Sequence, residues 1–374
     1  MVNNYRVHDT QIFDDEVFMR SSTLTCGLKK QDVIGKAVEK RLLDSKIVNN
    51  QPPVTKNVIN EIFSDMTLQE LRSIDDDDHA LSNFIHAKSS FLKESYLNVI
   101  FINLEVTAVD EILQRDYDAL NNILTWGNND LYVMPTISYE GVNDRSVQKD
   151  SYKDFVKKML LTKNSITTGS LNVGMSIPSY FRHKDVEDLF GLYRCENKEP
   201  SFISVDFCRS GVDDTKRMGI ANKIRSHYND SQNENYFLYG LNVRTYKHSG
   251  DSSVSDEMMI AKRGFNAFGS PHYQASKRKI PPTTELRQLG RVFNRQDYHY
   301  HSISVPHILD DFVQWTELYG YDLDFKRPLE NEAGKIRPTM KKYSAVKENE
   351  ELCEVSTAIR KSDYDLLDDV KFKN

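Results

Sequence analysis

The chain has 374 residues, long enough for one large barrel-type domain with an extension or for two ordinary domains. With 39% hydrophobic residues, 19 Tyr and 18 Phe, it is not the composition of a disordered chain. Against 55 acidic residues stand 49 basic ones, a net charge of −6, so nothing global draws it to nucleic acid or to an anionic membrane, and such contacts would need a local patch.

No run approaches the ~18 apolar residues of a membrane span, and the first residues lack a basic region followed by an apolar stretch. Cys26, Cys195, Cys208 and Cys353 lie too far apart for a zinc knuckle or a redox pair. A cytoplasmic protein with reduced thiols and no membrane partner is the expectation.

In the first third, 16–25 reads as a strand, while 31–43 and 54–74 read as helices flanking a loop at Gln51, Pro52 and Pro53. The acidic run 75–78 reads as a solvated loop or helix start, because four adjacent carboxylates cannot face one point. From 97 to 273 short β-rich runs at 98–106, 131–139, 171–177, 201–207, 236–243 and 264–268 alternate with helical stretches. These are 109–123, a charged segment reaching 161, 185–193, 214–227 and 255–263.

Near-continuous apolar runs joined by crossover helices are what parallel strands covered on both faces require. No Gly-x-Gly-x-x-Gly turn follows any of them, which disfavours an open dinucleotide-binding sheet. The expected fold is therefore α/β, a (β/α)8 TIM-like barrel over 1–280, with a mostly helical C-terminal appendage over 281–374. In the appendage 308–318 and 349–359 read as helices. The strand rhythm stops there, and parts of the polar stretch from 326 onward are expected to be loosely ordered.

In such a barrel the reacting groups project from the C-terminal ends of the strands. Those ends carry Glu105, Ser138 with Tyr139, Ser176 with Ser179, Asp206 with Cys208 and Arg209, Asn242 with Arg244, and Ser270 with His272. Asp206 stands inside an apolar run, where a carboxylate needs a partner such as Arg209 or Arg244, or a task as base or nucleophile; a structural ion pair or helix cap is the plain alternative. His272 follows the last run, where a general acid could sit. Asp206 and His272 are thus the candidate catalytic residues, with Tyr139, Ser176, Arg209, Asn242 and Arg244 as candidate substrate-binding residues.

Asp297, His299 and His301 place two histidines at i and i+2, which converge on one metal only in an extended segment. The basic groups Arg182-His183-Lys184, Lys277-Arg278-Lys279 and 337–342 could meet phosphates by charge and reach alone, or be ordinary solvated loops.

Between Val173 and Tyr273, about a quarter of the chain, the order of features resembles the tRNA-guanine transglycosylase family of barrels. The residues that carry it are Val173-Gly-Met-Ser-Ile-Pro178, Phe202 to Val212 with its Phe-Cys-Arg-Ser-Gly turn, Phe237-Leu-Tyr-Gly-Leu-Asn242, and the closing Met258 to Tyr273. The resemblance implies base exchange in tRNA or DNA: a carboxylate attacks the sugar C1′, the base leaves, and a second base returns. Tyr139, Phe207 and Tyr273 would be available to stack on a flipped base.

The family's nucleophilic aspartate would fall at Gly269, and its Cys-x-Cys-x-x-Cys zinc site is absent. Either the nucleophile has moved, with Asp206 as the candidate, or the chain is a non-catalytic binding subunit on the same barrel, partnered with an active protein or with nucleic acid; tRNA or DNA at the local basic patches, a protein partner and a second copy of the chain are the candidate partners. An unrelated metal-dependent barrel hydrolase using Asp297, His299 and His301 is a third reading. The first reading, a transglycosylase-like glycosyltransferase, calls for no cofactor and no metal.

Overall fold

A computed structural model describes residues 5–13, 19–32, 34–37, 46–47, 59–75, 78–89, 96–107, 111–125, 129–141, 144–166, 172–195, 199–247, 252–272, 284–363 and 367. Its strands in chain order are β1 (Tyr5–Phe13), β2 (Met19–Cys26), β3 (Lys29–Gln31), β4 (Gly35–Lys36), β5 (Ile59–Thr67), β6 (Leu97–Thr107), β7 (Tyr132–Val133), β8 (Thr136–Glu140), β9 (Val173–Ile177), β10 (Phe202–Asp206), β11 (Phe237–Leu241), β12 (Ser252–Val254), β13 (Ala267–Phe268), β14 (Arg291–Asn294) and β15 (His299–Ser302). Helices Gln114–Thr125, Arg145–Ile166, Val186–Cys195, Thr215–Asp230 and Asp256–Ala261 alternate with β6 to β13, as the sequence rhythm predicts.

The fold is mixed α/β. One six-stranded sheet runs β4-β13-β11-β10-β9-β7 and a second runs β5-β6-β8, every ladder parallel. A parallel bridge between Val99 and Leu131 links the two. Pro135, which has no N–H to give a ladder, splits the run 131–139: β7 pairs with β9 and β8 pairs with β6. Among the described residues no ladder joins β4 to β5 and no closed barrel is found, so the expectation of a TIM-like barrel is met only in its α/β class.

The sheet surface is nonetheless sharply curled. β6 and β11 are four strand steps apart along the sheet, roughly 19 Å if it were flat. Yet the rings of Phe101 and Tyr239 stack with centroids 5.1 Å apart.

Strand residues divide between two cores by alternation. Val99, Phe101, Val133, Phe202, Phe237, Tyr239, Leu241 and Ala267 pack inside the curl. Ile100, Ile102, Leu104, Met175, Ile203, Val205 and Leu238 pack outward with the helices.

The N-terminal end of the inner face is covered by the antiparallel β1-β2-β3 sheet. The Arg20 guanidinium donates to the carbonyls of Glu234 and Tyr236 ahead of β11, and Cys26 and Lys29 bond to Asp130 ahead of β7. The C-terminal end therefore remains for a site.

Several expectations are corrected. Within 54–74, β5 stands where a helix was expected, followed by the helix Leu68–Asp75. Within 31–43, Gln31 ends β3, and Gly35–Lys36 is a strand that pairs with β13. Strand structure does not stop after residue 280: β12, β15 and β14 form an antiparallel sheet. The polar C-terminal stretch is a 33-residue helix, Leu329–Lys361, ended by Ser362 in the left-handed region. That helix has one buried face, with Ile336, Met340 and Tyr343 against Trp315 and Phe312, and Leu352, Val355 and Ile359 in the outer core.

Of the acidic run, Asp75 ends one helix and Asp78 begins the next. Residues 51–53, Tyr273 and 277–279 lie outside the described residues.

Candidate functional site

Glu61 lies on the inner face of β5 between Ile59 and Phe63 and is 5% exposed. A carboxylate in that position needs donors, and it has two. The Tyr239 hydroxyl donates to Oε2, and Nε2 of His272 lies 2.5 Å from Oε1. The His272 ring stacks on Phe63 at 4.4 Å and 11° between planes. Gly269 passes so close that a Cβ there would sit 2.1 Å from Oε2 of Glu61; the glycine leaves the room that the carboxylate fills.

Asp206 ends β10. Its Oδ1 accepts the Cys208 N–H at 2.9 Å and the Asn242 amide at 3.1 Å, and its backbone carbonyl accepts Nε–H of Arg217 at 2.7 Å. Burial raises its pKa above the ordinary aspartate value, opposed by those hydrogen bonds and by Arg217 and assisted by the negative charge of Asp65. Cys208, Arg209 and Asn242 all have positive φ, conformations that non-glycine residues adopt at a cost and that concentrate at working sites.

Asn242 is the joint of the site. While its amide holds Asp206, its Oδ1 accepts the backbone N–H of His272 at 3.2 Å, and its own carbonyl accepts the Arg209 N–H at 2.9 Å. Arg209 donates from Nη2 to the His272 carbonyl at 3.2 Å. Four residues expected at the site, Asp206, Arg209, Asn242 and His272, are thus one hydrogen-bonded group at the strand ends.

The other three are elsewhere. Ser176 is buried on the inner face, hydrogen-bonded to Ser204 at 2.9 Å. Tyr139 packs on the outer, helix-side core beside Tyr180. Arg244 pairs with Asp256 at 2.6 Å and Asp213 at 2.8 Å, so these two carboxylates, and not Asp206, hold it.

Around the same end, the Asn103 amide donates to Asp65 at 2.9 Å and to Ser138 at 3.1 Å. The Glu105 carboxyl is raised by burial and by Asp65, Glu140 and Glu70. Ser270 donates to Glu257 at 2.9 Å, which shares the buried Lys36 ammonium with Glu348, each at 2.7 Å.

Glu61 and Tyr239 were not singled out from the sequence. The signal that marks Asp206, a carboxylate inside an apolar run, also exists at Glu61, but only once 59–67 is read as a strand.

The histidines on β15 are extended, as metal convergence would require, but both turn to Asp297: His301 Nε2 lies 2.7 Å from its Oδ2, and His299 Nδ1 lies 2.7 Å from its carbonyl. Among the described residues no group of three or more His, Cys, Asp or Glu is placed to hold a metal ion. None of Cys26, Cys195, Cys208 and Cys353 is in a disulfide, and no helix among the described residues is long and apolar enough to cross a membrane.

Neither the models of known protein families nor the curated proteins give a match to this chain.

Proposed function

We propose that this chain is a divergent, transglycosylase-like (β/α)8 barrel that exchanges a nucleobase in tRNA or DNA. The barrel reading is supported by the parallel ladders β5-β6-β8 and β7-β9-β10-β11-β13-β4, linked by the Val99–Leu131 bridge, and by the reach of Glu61 across the interior to Tyr239. The observation that carries the function is the single network joining Asp206, Asn242 and His272 at the C-terminal strand ends to Glu61 on the inner face of β5.

In this mechanism the Asp206 carboxylate forms a bond to the sugar C1′ as the bond from C1′ to the departing base breaks. His272, held by Glu61 and Phe63, gives its proton to the leaving base nitrogen. An incoming base returns a proton to His272 as its nitrogen takes C1′ from Asp206. Bonds and protons balance over the cycle, and no oxidant or energy source is consumed.

The filled space beside Gly269 favours a second reading. Glu61 is engaged by two donors there, as in a structural pair, and a binding subunit without chemistry would look the same. Incorporation of labelled guanine into bulk tRNA and into DNA by the purified protein, with Asp206→Ala as the control, separates the two. Exchange that disappears in the variant supports the enzyme; no exchange into either polymer leaves the binding subunit.

A further inference from the structure

We infer that the basic side of the strand-end mouth, over β9 and β10, is a phosphate-binding site built on Arg217. The inference takes the mouth as the working end of the protein, as above, but requires no chemistry there.

Arg217 stands in the first turn of the helix Thr215–Asp230 and is only 4% exposed. Its Nε is fixed on the carbonyl of Asp206, whereas its Nη1 is buried with no hydrogen-bond partner. A buried guanidinium N–H left unmade is costly, and such an atom points to an acceptor that belongs beside it.

Other cations gather on the same loops. Lys216 reaches from that first turn to the carbonyl of Ser179 in the loop after β9, at 3.1 Å. The same loop continues through Arg182, His183 and Lys184, and the Gly219 position faces the His183 side chain at 3.8 Å. Lys149 ties Asp185 to the helix that Arg145 opens, at 2.7 Å. Arg145, Arg182 and Lys184 are exposed.

The carboxylates among these residues are already engaged. Asp214 caps the helix by accepting the Lys216 and Arg217 N–H groups, and Asp185 accepts the Arg182 N–H besides its pair with Lys149. Burial lowers the pKa of the Lys216 ammonium, and the positive charges of Arg217, Arg145 and Arg182 lower it further, against the opposing charge of Asp214. A buried guanidinium with an unmet N–H, beside a lysine that feels the charge of Arg145 and Arg182 as well, suits a phosphate, which offers several acceptors and negative charge together.

The test is equilibrium binding by the full-length protein of inorganic phosphate, of guanosine monophosphate and of a short labelled oligonucleotide at two salt concentrations. Arg217→Lys, Arg182→Gln and Arg145→Gln are compared with Lys361→Gln at the end of the C-terminal helix, outside every basic group named above. The two exposed arginines keep the test valid if Arg217→Lys does not fold. We expect a loss of about tenfold for the mouth substitutions and none for Lys361→Gln. The dependence of log affinity on log salt for the oligonucleotide should fall by about one per cation removed.

Binding of the oligonucleotide alone would identify the phosphate as that of a polynucleotide backbone; binding of the small ligands too would identify a site for any phosphate group, and either supports the site. No phosphate ligand bound, or binding unmoved by all three mouth substitutions, overturns it. Binding and guanine incorporation are read in separate assays: binding here with no incorporation keeps this site and removes the proposed reaction, whereas incorporation with no phosphate binding removes the site and keeps the reaction.

Discussion

Nε2 of His272 lies 2.5 Å from Oε1 of Glu61, although the two residues are 211 positions apart, one on β5 and the other just past β13. The pair spans the gap in the strand ladders and fixes the imidazole from below, while Phe63 fixes its plane. Replacing Glu61 by Ala leaves the buried Tyr239 hydroxyl and the imidazole without their acceptor. The expected cost is about 1–3 kcal/mol in urea denaturation, with base exchange lowered on the order of 100-fold. Unchanged stability would mean that the carboxylate is not engaged in this way.

Gly269→Ala attacks the same pair from the other side, since its Cβ would meet Oε2 of Glu61 at 2.1 Å. A loss of about 1–3 kcal/mol is expected from the displaced carboxylate. The loss should shrink in a Glu61→Ala background, where nothing is left to displace. Equal losses in both backgrounds would locate the strain elsewhere.

Asp206→Asn is expected to trade stability against function. Because burial raises the native pKa of Asp206 above its unfolded value, the native state holds the proton more tightly. Its contribution to stability is present below the unfolded pKa and is lost as pH rises through the native one. At neutral pH the substitution should therefore raise the denaturation midpoint while lowering exchange at least about 1,000-fold. A lowered midpoint at pH 7 combined with full activity would remove Asp206 from both roles.

The buried cluster beneath Ser270 gives the clearest pH signature. Burial and the charge of Glu348 raise Glu257 to about 7, even though Lys36 and Ser270 pull it down. Stability from this group is thus fully present below its unfolded pKa of 4.5 and fades as pH rises toward and through 7. Glu257→Gln should flatten the stability profile across that window. Lys36→Met, which leaves two buried carboxylates without their cation, should cost about 3–5 kcal/mol, and more at pH 8 than at pH 5. Denaturation at the two pH values decides this, and an equal deficit at both would contradict it.

The strands of the middle of the chain are legible because their apolar runs are buried on both faces, and the helices between them because they must cross back over the sheet. β5 is not, for a specific reason: Ile59, Ile62, Phe63 and Met66 fall at i, i+3, i+4 and i+7, the spacing of a helix face. In the fold Ile62 and Met66 point to the outer core while Ile59 and Phe63 pack inward. The carboxylate of Glu61 disappeared with the strand.

The opposite error affected the C-terminal helix. Residues 349–359 read as a helix and are one, but the charge from 326 onward suggests loose order in parts, whereas Ala333, Ile336, Met340 and Tyr343 carry a regular buried face. Among site residues, Asp206, Arg209, Asn242 and His272 could be placed by their position after strands. Arg244 could not, because nothing in the local sequence announces that Asp213 and Asp256 hold it.

In the proposed reaction Asp206 and His272, joined through Asn242, act on one step. The most direct test compares labelled-guanine incorporation by the unsubstituted protein, Asp206→Asn, His272→Gln and the double variant. If both act on the same step, each single substitution should lower exchange steeply, and the double variant should be no slower than the slower single one within about threefold. No exchange by the unsubstituted protein, or losses that simply multiply, would contradict the account.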